Sequence, residues 1–144
     1  MKTFEKVYTQ NEEAVRIVQG LHNFYKIINE MKPAKTFKYL VKNRSLYNPV
    51  WERKDKEDLK RGVNLKILTR HTKQNDTEIK KWSEEHKKRM RFFDNKGVTL
   101  SIRDDEAVIT LIKNNTILSI KDEAFIDLMK RWYEIVYQDA PPLF

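Results

Sequence analysis

The order in which helical and strand patterns follow one another constrains the fold of this chain more than any other feature. In the first half, short β-branched and aromatic runs at 36–42 and 63–69 predict strands. The segment between them, 51–61, has a helical pattern and ends at Gly62, a residue type common at helix C-termini. Because parallel strands need a crossover connection, usually a helix, this alternation predicts parallel strands.

The N-terminal region has apolar residues at helical spacing. Thr9 and Glu12 fit a capping box, in which each side chain satisfies a free backbone donor near the other residue. The pattern predicts a first helix from about Gln10 to Met31 that stops before Pro33.

A further helix and a short strand are predicted after the second strand run. Asn75 or Asp76 caps a charged helix over about 77–88, with Ile79 and Trp82 as its apolar residues. The short strand follows at 89–93.

The pattern changes in the second half, where β-rich runs follow one another without intervening helices. These runs lie at 98–103, 106–112 and 116–120. Asp104-Asp105 and Asn114-Asn115 separate them, and such residues suit hairpin turns because they tolerate positive φ. This half of the chain therefore predicts antiparallel additions to the sheet.

The fold class that follows is α/β: a mixed β-sheet flanked by helices, in the order α-β-α-β-α-β-β-β-β-α. The length of 144 residues predicts a single domain over 1–144, with a structured core over about 10–140. Leu, Ile, Val and Phe contribute 39 of the 144 residues, enough for a packed core.

Composition excludes several classes of site. There are no cysteines, so disulfides, Cys-ligated zinc and thiol catalysis are excluded, and three histidines make a multi-histidine metal site unexpected. With three glycines, no GxGxxG or P-loop motif occurs. No apolar run approaches about 18 residues, and no signal peptide is present, so we expect a cytoplasmic protein without a membrane partner, metal or cofactor.

The carboxyl ends of the predicted parallel strands are the best candidate for a ligand site, because ligands of open α/β sheets gather there. The predicted ligand-binding residues are Asn43, Arg44, Thr69, Arg70 and His71, with Ser45, Phe93, Asp94 and Asn95 nearby. Arginine, histidine, hydroxyl and amide groups suit a small anionic or sugar-like effector. The alternative is that these loops are polar only because they are exposed.

One string resembles a catalytic motif. His71, Lys73 and Glu78 form HxKxxxxE, which differs by one carboxylate from the HxKxxxxD of phospholipase D-type phosphodiesterases. A three-residue match in a polar, lysine-rich loop arises easily by chance, so a non-enzymatic role is favoured. A degenerate phosphodiesterase remains the third hypothesis for function.

The net charge of +8 favours anionic partners. A basic nucleic-acid-binding accessory protein is therefore the second hypothesis. No helix-turn-helix, RNP-like aromatic string or zinc module supports it, and a solubilising lysine-rich surface explains the charge equally well.

Three segments together resemble a known family. They are the helix end and strand at 61–69, the strand, Asp-Asp turn and strand at 98–109, and the closing helix from Asp122 with Trp132-Tyr133-Glu134 and Ala140. Their order and spacing resemble the phospholipase D-like sensor domain of archaeal TrmB-type transcriptional regulators, over about residues 12–140.

The resemblance implies a ligand-sensing or dimerising regulatory domain without catalysis. In catalytic relatives, HxKxxxxD precedes the Asp-Asp turn. Counting back from Asp105 places Val98 and Leu100 at the His and Lys positions, and counting from Asp104 places Gly97 and Thr99 there. The regulators also carry an N-terminal winged helix, so we expect either a stand-alone sensor or an excised piece of a longer regulator.

A homodimer is predicted from the last helix. Its apolar residues are Phe125, Ile126, Leu128, Met129, Trp132, Tyr133, Ile135, Val136 and Tyr137. These exceed the single apolar stripe that a surface helix needs for its own core. We therefore expect contact through the sheet edge or the terminal helices, unless both terminal helices are buried by their own sheet.

Overall fold

A computed structural model describes residues 14–144, which form one seven-stranded sheet with helices on both faces. The strands are β1 Val15–Gln19, β2 Phe37–Lys42, β3 Asn64–Thr69, β4 Met90–Phe92, β5 Val98–Arg103, β6 Glu106–Leu111 and β7 Thr116–Ile120. The helices are α1 Phe24–Glu30, α2 Pro49–Lys60, α3 Asp76–Lys80, α4 Glu84–Lys87 and α5 Glu123–Asp139, with single 3-10 turns at Leu21–Asn23 and Ile112–Asn114.

The sheet is mixed, as predicted. Its strand order is β1-β7-β6-β5-β2-β3-β4. Strands β2, β3 and β4 pair in parallel, and every other pair is antiparallel. Strand β2 is the junction between the two halves, since it pairs with β3 on one side and β5 on the other.

The predicted first helix is wrong over its first half. Residues Val15–Gln19 form an edge strand on β7, and helix α1 begins only at Phe24. Val15, Ile17 and Val18 are β-branched and suit a strand. Gly20, at φ +98°, turns the chain between the strand and the helix, and its N–H donates to Asn115 O at 2.7 Å. The predicted cap at Thr9 and Glu12 lies outside the described residues.

The helix predicted at 77–88 is instead two short helices, α3 and α4. Ser83 separates them, and its hydroxyl caps α4 by accepting from His86 N at 3.3 Å. Ile79 and Trp82 are buried, as predicted for the apolar residues of this segment. Glu52 Oε1 accepts from Ser83 N at 2.6 Å, which ties the break to α2.

Helix α5 covers one face of the sheet, beginning at its predicted cap, Asp122. Its buried residues are Ile126 and Tyr133, and the Tyr133 hydroxyl donates to Leu40 O at 2.6 Å. Under it lie the apolar strand residues Phe37, Tyr39, Val41, Leu100, Ile102 and Ala107. Among the described residues, no helix is long and apolar enough to cross a membrane.

The Asp104-Asp105 turn joins β5 to β6, as predicted, and also holds the start of β2. Asp104, at φ +47°, accepts hydrogen bonds from the backbone N–H groups of Lys35 and Thr36, at 2.8 and 2.9 Å, and from the Thr36 hydroxyl. Partial burial would raise the pKa of Asp104, but these hydrogen bonds lower it. Asp105 is exposed.

We predict that Asp104→Ala lowers the free energy of unfolding by about 2 kcal/mol at pH 7, because charge-assisted hydrogen bonds to several backbone donors are lost. Since the folded pKa lies below the ordinary value, this stabilisation is complete above about pH 4 and is lost as the pH falls. Urea unfolding at pH 7 and pH 3 measures both effects. Asp105→Ala is the matched control, and an equal loss in both variants would contradict the assignment.

Candidate functional site

A cavity of about 810 Å³ lies on the face of the sheet opposite α5. Helices α1 and α2 form its walls, and strands β2 and β5 form its floor. The loop that follows β2 closes one end. This volume falls within the range of about 300–1,000 Å³ typical of small-molecule sites.

The floor is polar because two strands turn polar side chains to this face. Side chains alternate along a strand, so Lys38, Leu40 and Lys42 of β2 share one face. The register pairs Lys38 with Arg103 and Leu40 with Ser101 on β5, which places these residues side by side. The next pair along the two strands brings Thr99 beside Lys42.

Asp55 of α2 anchors the wall to the floor. Its Oδ1 accepts from Lys38 Nζ at 2.6 Å, and its Oδ2 accepts from His86 Nε2 at 2.9 Å. Burial would raise the pKa of Asp55, but the hydrogen bond from His86 and the charges of Lys38 and Lys42 hold it well below its usual range. Asp58 also binds Lys38, at 3.2 Å, and pairs with Arg61.

His86 completes this buried network as a neutral ring. An ionised carboxylate can only accept, so Nε2 carries the proton that points to Asp55. Burial lowers the pKa of His86, although Asp55 opposes that shift. Nδ1 is buried and has no hydrogen-bond partner within residues 14–144. The ring stacks on Trp82 with centroids 4.1 Å apart.

Lys42 lies at the end of the floor near the loop. Its ammonium is 5.6 Å from the ring centroid of Trp51 and 4.7 Å from that of Trp82. Burial lowers the pKa of Lys42 to about 8, with Asp55 opposing the shift and Lys38 adding to it. Among the described residues, no carboxylate lies within 4.0 Å of the Lys42 ammonium.

Three aromatic side chains meet at the mouth of the cavity. Tyr25 lies 5.7 Å from Phe24 and 5.6 Å from Trp51, measured between ring centroids. Tyr25 is 60% exposed, so much of its ring is open to a ligand.

The floor also holds polar atoms without partners. Ser101 is 7% exposed, and its Oγ has no hydrogen-bond partner among the described residues. Arg103 donates to Lys32 O at 3.3 Å through one terminal nitrogen, but its Nε is buried without a partner.

The structure places two of the five residues predicted to bind a ligand in the cavity lining. Asn43 and Arg44 line the cavity, whereas Thr69, Arg70 and His71 do not. Thr69 is fully buried, and its hydroxyl accepts a hydrogen bond of 2.7 Å from the hydroxyl of Ser45, a residue of the cavity lining. Ligand binding by these five predicted residues stays a prediction.

Arg70 and His71 form hydrogen bonds to neighbouring loops and helices instead of lining the cavity. Arg70 Nε donates to Asn43 O at 3.3 Å, so it supports the loop of the cavity from behind. His71 Nε2 lies 2.6 Å from Asp76 Oδ1. Phe93 and Asn95, from the third predicted loop, do not line the cavity either. Phe93 packs edge-on against Trp132, and Asn95 donates to Val98 O.

The HxKxxxxE string does not bring its three residues into one contact network. Glu78 lies in α3, where it accepts from Tyr47 N at 3.2 Å and pairs with Lys81 at 2.7 Å. Lys73 is exposed in the loop before that helix. Residues 14–144 contain no group of three or more His, Asp or Glu side chains that could hold a metal ion.

Sequence reasoning missed the floor of the cavity. Lys38 and Lys42 occupy alternate positions of one strand run, and Thr99, Ser101 and Arg103 occupy alternate positions of another. Both strands are central in the sheet, where apolar residues are expected on both faces. Polar residues at alternate positions of two central strands were the available signal.

We predict that Asp55→Ala lowers the free energy of unfolding by about 3–5 kcal/mol, because a buried ion network loses its central carboxylate. Lys38 then keeps only the longer contact to Asp58, and the buried His86 Nε2 loses its acceptor. Guanidinium unfolding followed by far-UV circular dichroism measures the loss. Glu57→Ala is the control on the exposed side of the same helix and should change stability by less than about 0.5 kcal/mol. Equal stability of the wild type and Asp55→Ala would contradict the role assigned to this network.

The fold is shared with solved structures of low sequence identity. TrmBL2, an archaeal chromatin protein reported with a novel mode of DNA binding, matches with a TM-score of 0.70 and 20% identity, over 99% of this chain and 62% of that chain. This chain therefore spans less than two thirds of the TrmBL2 chain that it matches.

Two phospholipase D-like structures also match. Nuc from Salmonella typhimurium, a phospholipase D family member, has a TM-score of 0.58 and 13% identity, over 88% of this chain and 95% of that chain. NucT from Helicobacter pylori has a TM-score of 0.60 and 14% identity, over 90% and 98%.

No protein-family model and no curated protein matches the sequence. At 13–20% identity, the structural matches establish the fold alone. At that level they confirm the resemblance found in the sequence: the chain has a phospholipase D-like fold of the kind shared by Nuc, NucT and TrmBL2.

Proposed function

We propose that this chain is a non-catalytic regulatory domain that senses a small anionic or sugar-like effector in the cavity between α1 and α2. The observation that carries the proposal is the cavity itself. Within the described residues, the Ser101 hydroxyl on its floor has no hydrogen-bond partner, and Lys42 and Arg103 have no carboxylate within 4.0 Å. Hydroxyl, amide and cationic groups beside aromatic rings are suited to bind such ligands.

The strand that precedes the Asp-Asp turn supports a role without catalysis. Val98 and Leu100, or Gly97 and Thr99, stand where the resemblance places the catalytic His and Lys. Leu100 is buried in the apolar core under α5, and Thr99 is hydrogen-bonded to Thr110. None of these four residues has the imidazole or ammonium that the motif supplies.

The fold shared with TrmBL2 supports a place in transcriptional or chromatin-related regulation. In such a protein, an effector that binds one conformation better than another shifts the equilibrium between them. We propose that α1 and α2 are the elements that respond, because they form the cavity walls and lie on the opposite face from α5.

We predict that a panel of neutral sugars, sugar phosphates, inorganic phosphate and small carboxylates contains at least one compound that raises the melting temperature by several degrees. A ligand at 100 times its Kd stabilises the folded state by about 2.7 kcal/mol. Differential scanning fluorimetry of the full chain measures the shift. If no compound in the panel changes the melting temperature, the effector role is wrong.

Hydrolysis of bis(p-nitrophenyl) phosphate tests the non-catalytic part of the proposal. The expected rate equals that of buffer, both for the wild type and for His71→Ala. A measurable rate that His71→Ala abolishes would instead support the degenerate phosphodiesterase.

We further propose a homodimer formed through α5. Leu128 and Ile135 are 60% and 65% exposed, and Trp132 lies between them on the same side of the helix. By contrast, Tyr137 belongs to the protomer's own packing, since its hydroxyl donates to Arg89 O at 2.9 Å and Arg91 stacks on its ring.

The predicted mass at about 100 µM is therefore twice 17.4 kDa, measured by light scattering after size exclusion. Ile135→Glu should give the monomer mass without loss of helical signal, because the side chain is exposed in the protomer. Gln74→Glu places the same new charge on an exposed residue outside α5 and should leave the dimer intact. A wild-type monomer at this concentration would disprove the dimer.

Nucleic-acid binding is the second candidate, favoured by the net charge of +8 and the fold shared with TrmBL2. Phosphate contacts release counterions, so affinity for a 30-base-pair duplex should fall steeply between about 50 and 200 mM salt. Fluorescence anisotropy with labelled duplex and single strands measures this. An absence of binding at 50 mM salt would remove this candidate.

A further inference from the structure

The charges around the cavity favour an anionic ligand. Six cationic side chains and three carboxylates line it: Lys38, Lys42, Arg44, Lys54, Arg61 and Arg103 against Asp55, Glu57 and Asp58. Two of the carboxylates are already engaged, Asp55 by Lys38 and His86, and Asp58 by Lys38 and Arg61. Within residues 14–144, Lys42 and Arg103 therefore keep positive charge without a carboxylate within 4.0 Å.

The aromatic wall favours a planar ring in the same ligand. Trp51 is a shared neighbour, since both the Lys42 ammonium and the Tyr25 ring centroid lie 5.6 Å from its ring centroid. The Tyr25 ring centroid and the Lys42 ammonium are therefore no more than about 11 Å apart, a span that one ligand can bridge. Any base has a π-face that can stack on an aromatic side chain, so this wall suits a base without selecting which one.

The middle of the floor favours a hydroxylated linker between ring and anion. Ser101 Oγ is buried on the cavity side of β5 and has no hydrogen-bond partner in the described part of the chain, so it can both donate and accept. Asn43 lines the same cavity and adds an amide group, whereas the amide oxygen of Asn48 is engaged as the cap of α2. An apolar ligand would leave Ser101 unsatisfied, whereas a sugar hydroxyl would not.

We propose that this cavity binds a mononucleotide, with its phosphate at Lys42, its ribose over Ser101 and its base against Tyr25 and Trp51. The inference rests on the proposed effector role and names the ligand class for it. Inorganic phosphate supplies only the anion, adenosine only the ring and ribose, and glucose 6-phosphate only the anion and hydroxyls. Comparison of these probes therefore separates the three parts of the ligand.

Isothermal titration of the full chain with the four ribonucleoside monophosphates is the central test. At least one nucleotide should bind ten times or more tightly than its own nucleoside (adenosine, for the adenine nucleotide). It should exceed inorganic phosphate and glucose 6-phosphate by the same factor. If glucose 6-phosphate or a neutral sugar binds and no nucleotide does, the nucleotide class is wrong while the effector role stands. If nothing binds, both are wrong.

Two pairs of variants test the assigned contacts. Lys42→Met keeps the apolar stem and should weaken nucleotide binding at least tenfold without changing nucleoside binding, whereas Lys56→Met, outside the cavity lining, should change neither. Tyr25→Ala should weaken binding several-fold, and Tyr25→Phe should restore it because the ring returns. Unchanged nucleotide affinity in Lys42→Met or Tyr25→Ala would overturn the placement.

A measurement on the wild type covers the case in which Lys42→Met does not fold. Affinity for the nucleotide should fall as the pH rises from 7 to 9.5, because Lys42 loses its proton with a pKa of about 8. The neighbouring groups do not produce this change: Asp55 is ionised, His86 is neutral and the phosphate is already dianionic in that range. Constant affinity from pH 7 to 9.5 would overturn the role of Lys42.

Discussion

The ion network around Asp55 connects three elements of this molecule that are separate in the sequence. Its carboxylate receives Lys38 from the central strand β2 and His86 from α4, while Asp55 itself lies on α2. In a low-dielectric interior these bonds hold only if every charge is compensated, which fixes where α2 and α4 lie against the sheet. The position of the cavity wall follows from that constraint, because Trp51 and Asp58 are carried by the same helix.

Strand β2 gives the two faces of the sheet opposite chemistry. Its odd-numbered residues Phe37, Tyr39 and Val41 pack under α5, and its even-numbered residues Lys38, Leu40 and Lys42 face the cavity. Strand β5 continues both patterns, since Leu100 and Ile102 lie with the first set and Ser101 with the second. A shift of one residue in register would bury the lysines under α5, so the register itself is strongly specified.

The mixed sheet could be predicted from the sequence because local patterns indicate its strands and connections. These patterns are the runs of β-branched and aromatic residues, the helix end at Gly62, and the Asp and Asn pairs between the later strands. The error at the N-terminus has a physical cause: Val15, Val18 and Leu21 fit a helical stripe as well as a strand, and only the pairing of Val15–Gln19 with β7 decides between them. That pairing joins residues about a hundred positions apart, and a local pattern contains no information about it. The break at Ser83 was missed for the same reason, since distant Glu52 stabilises it.

The candidate site was only partly predictable, because the rule for strand ends identifies loops and the cavity lies over the middle of the strands. Asn43 and Arg44 were found at its end, but its floor was not. Polar atoms of the floor also lower the stability of the fold. A buried donor or acceptor without a partner costs about 1–3 kcal/mol, and Ser101 Oγ and Arg103 Nε are both in this state.

Apolar side chains at these two positions would remove that cost, as they do on the opposite face of the same strands, where Leu100 and Ile102 pack without polar atoms. The polar groups of Ser101 and Arg103, unlike the Lys38 ammonium, are therefore not needed to build the sheet. A ligand that hydrogen-bonds to it would recover the free energy that the unbound fold loses there, and would do so only while α1 and α2 stay in place above it. In the proposed effector role, binding and the arrangement of these two helices would thereby be coupled, which is the physical requirement for a domain that reports on a ligand.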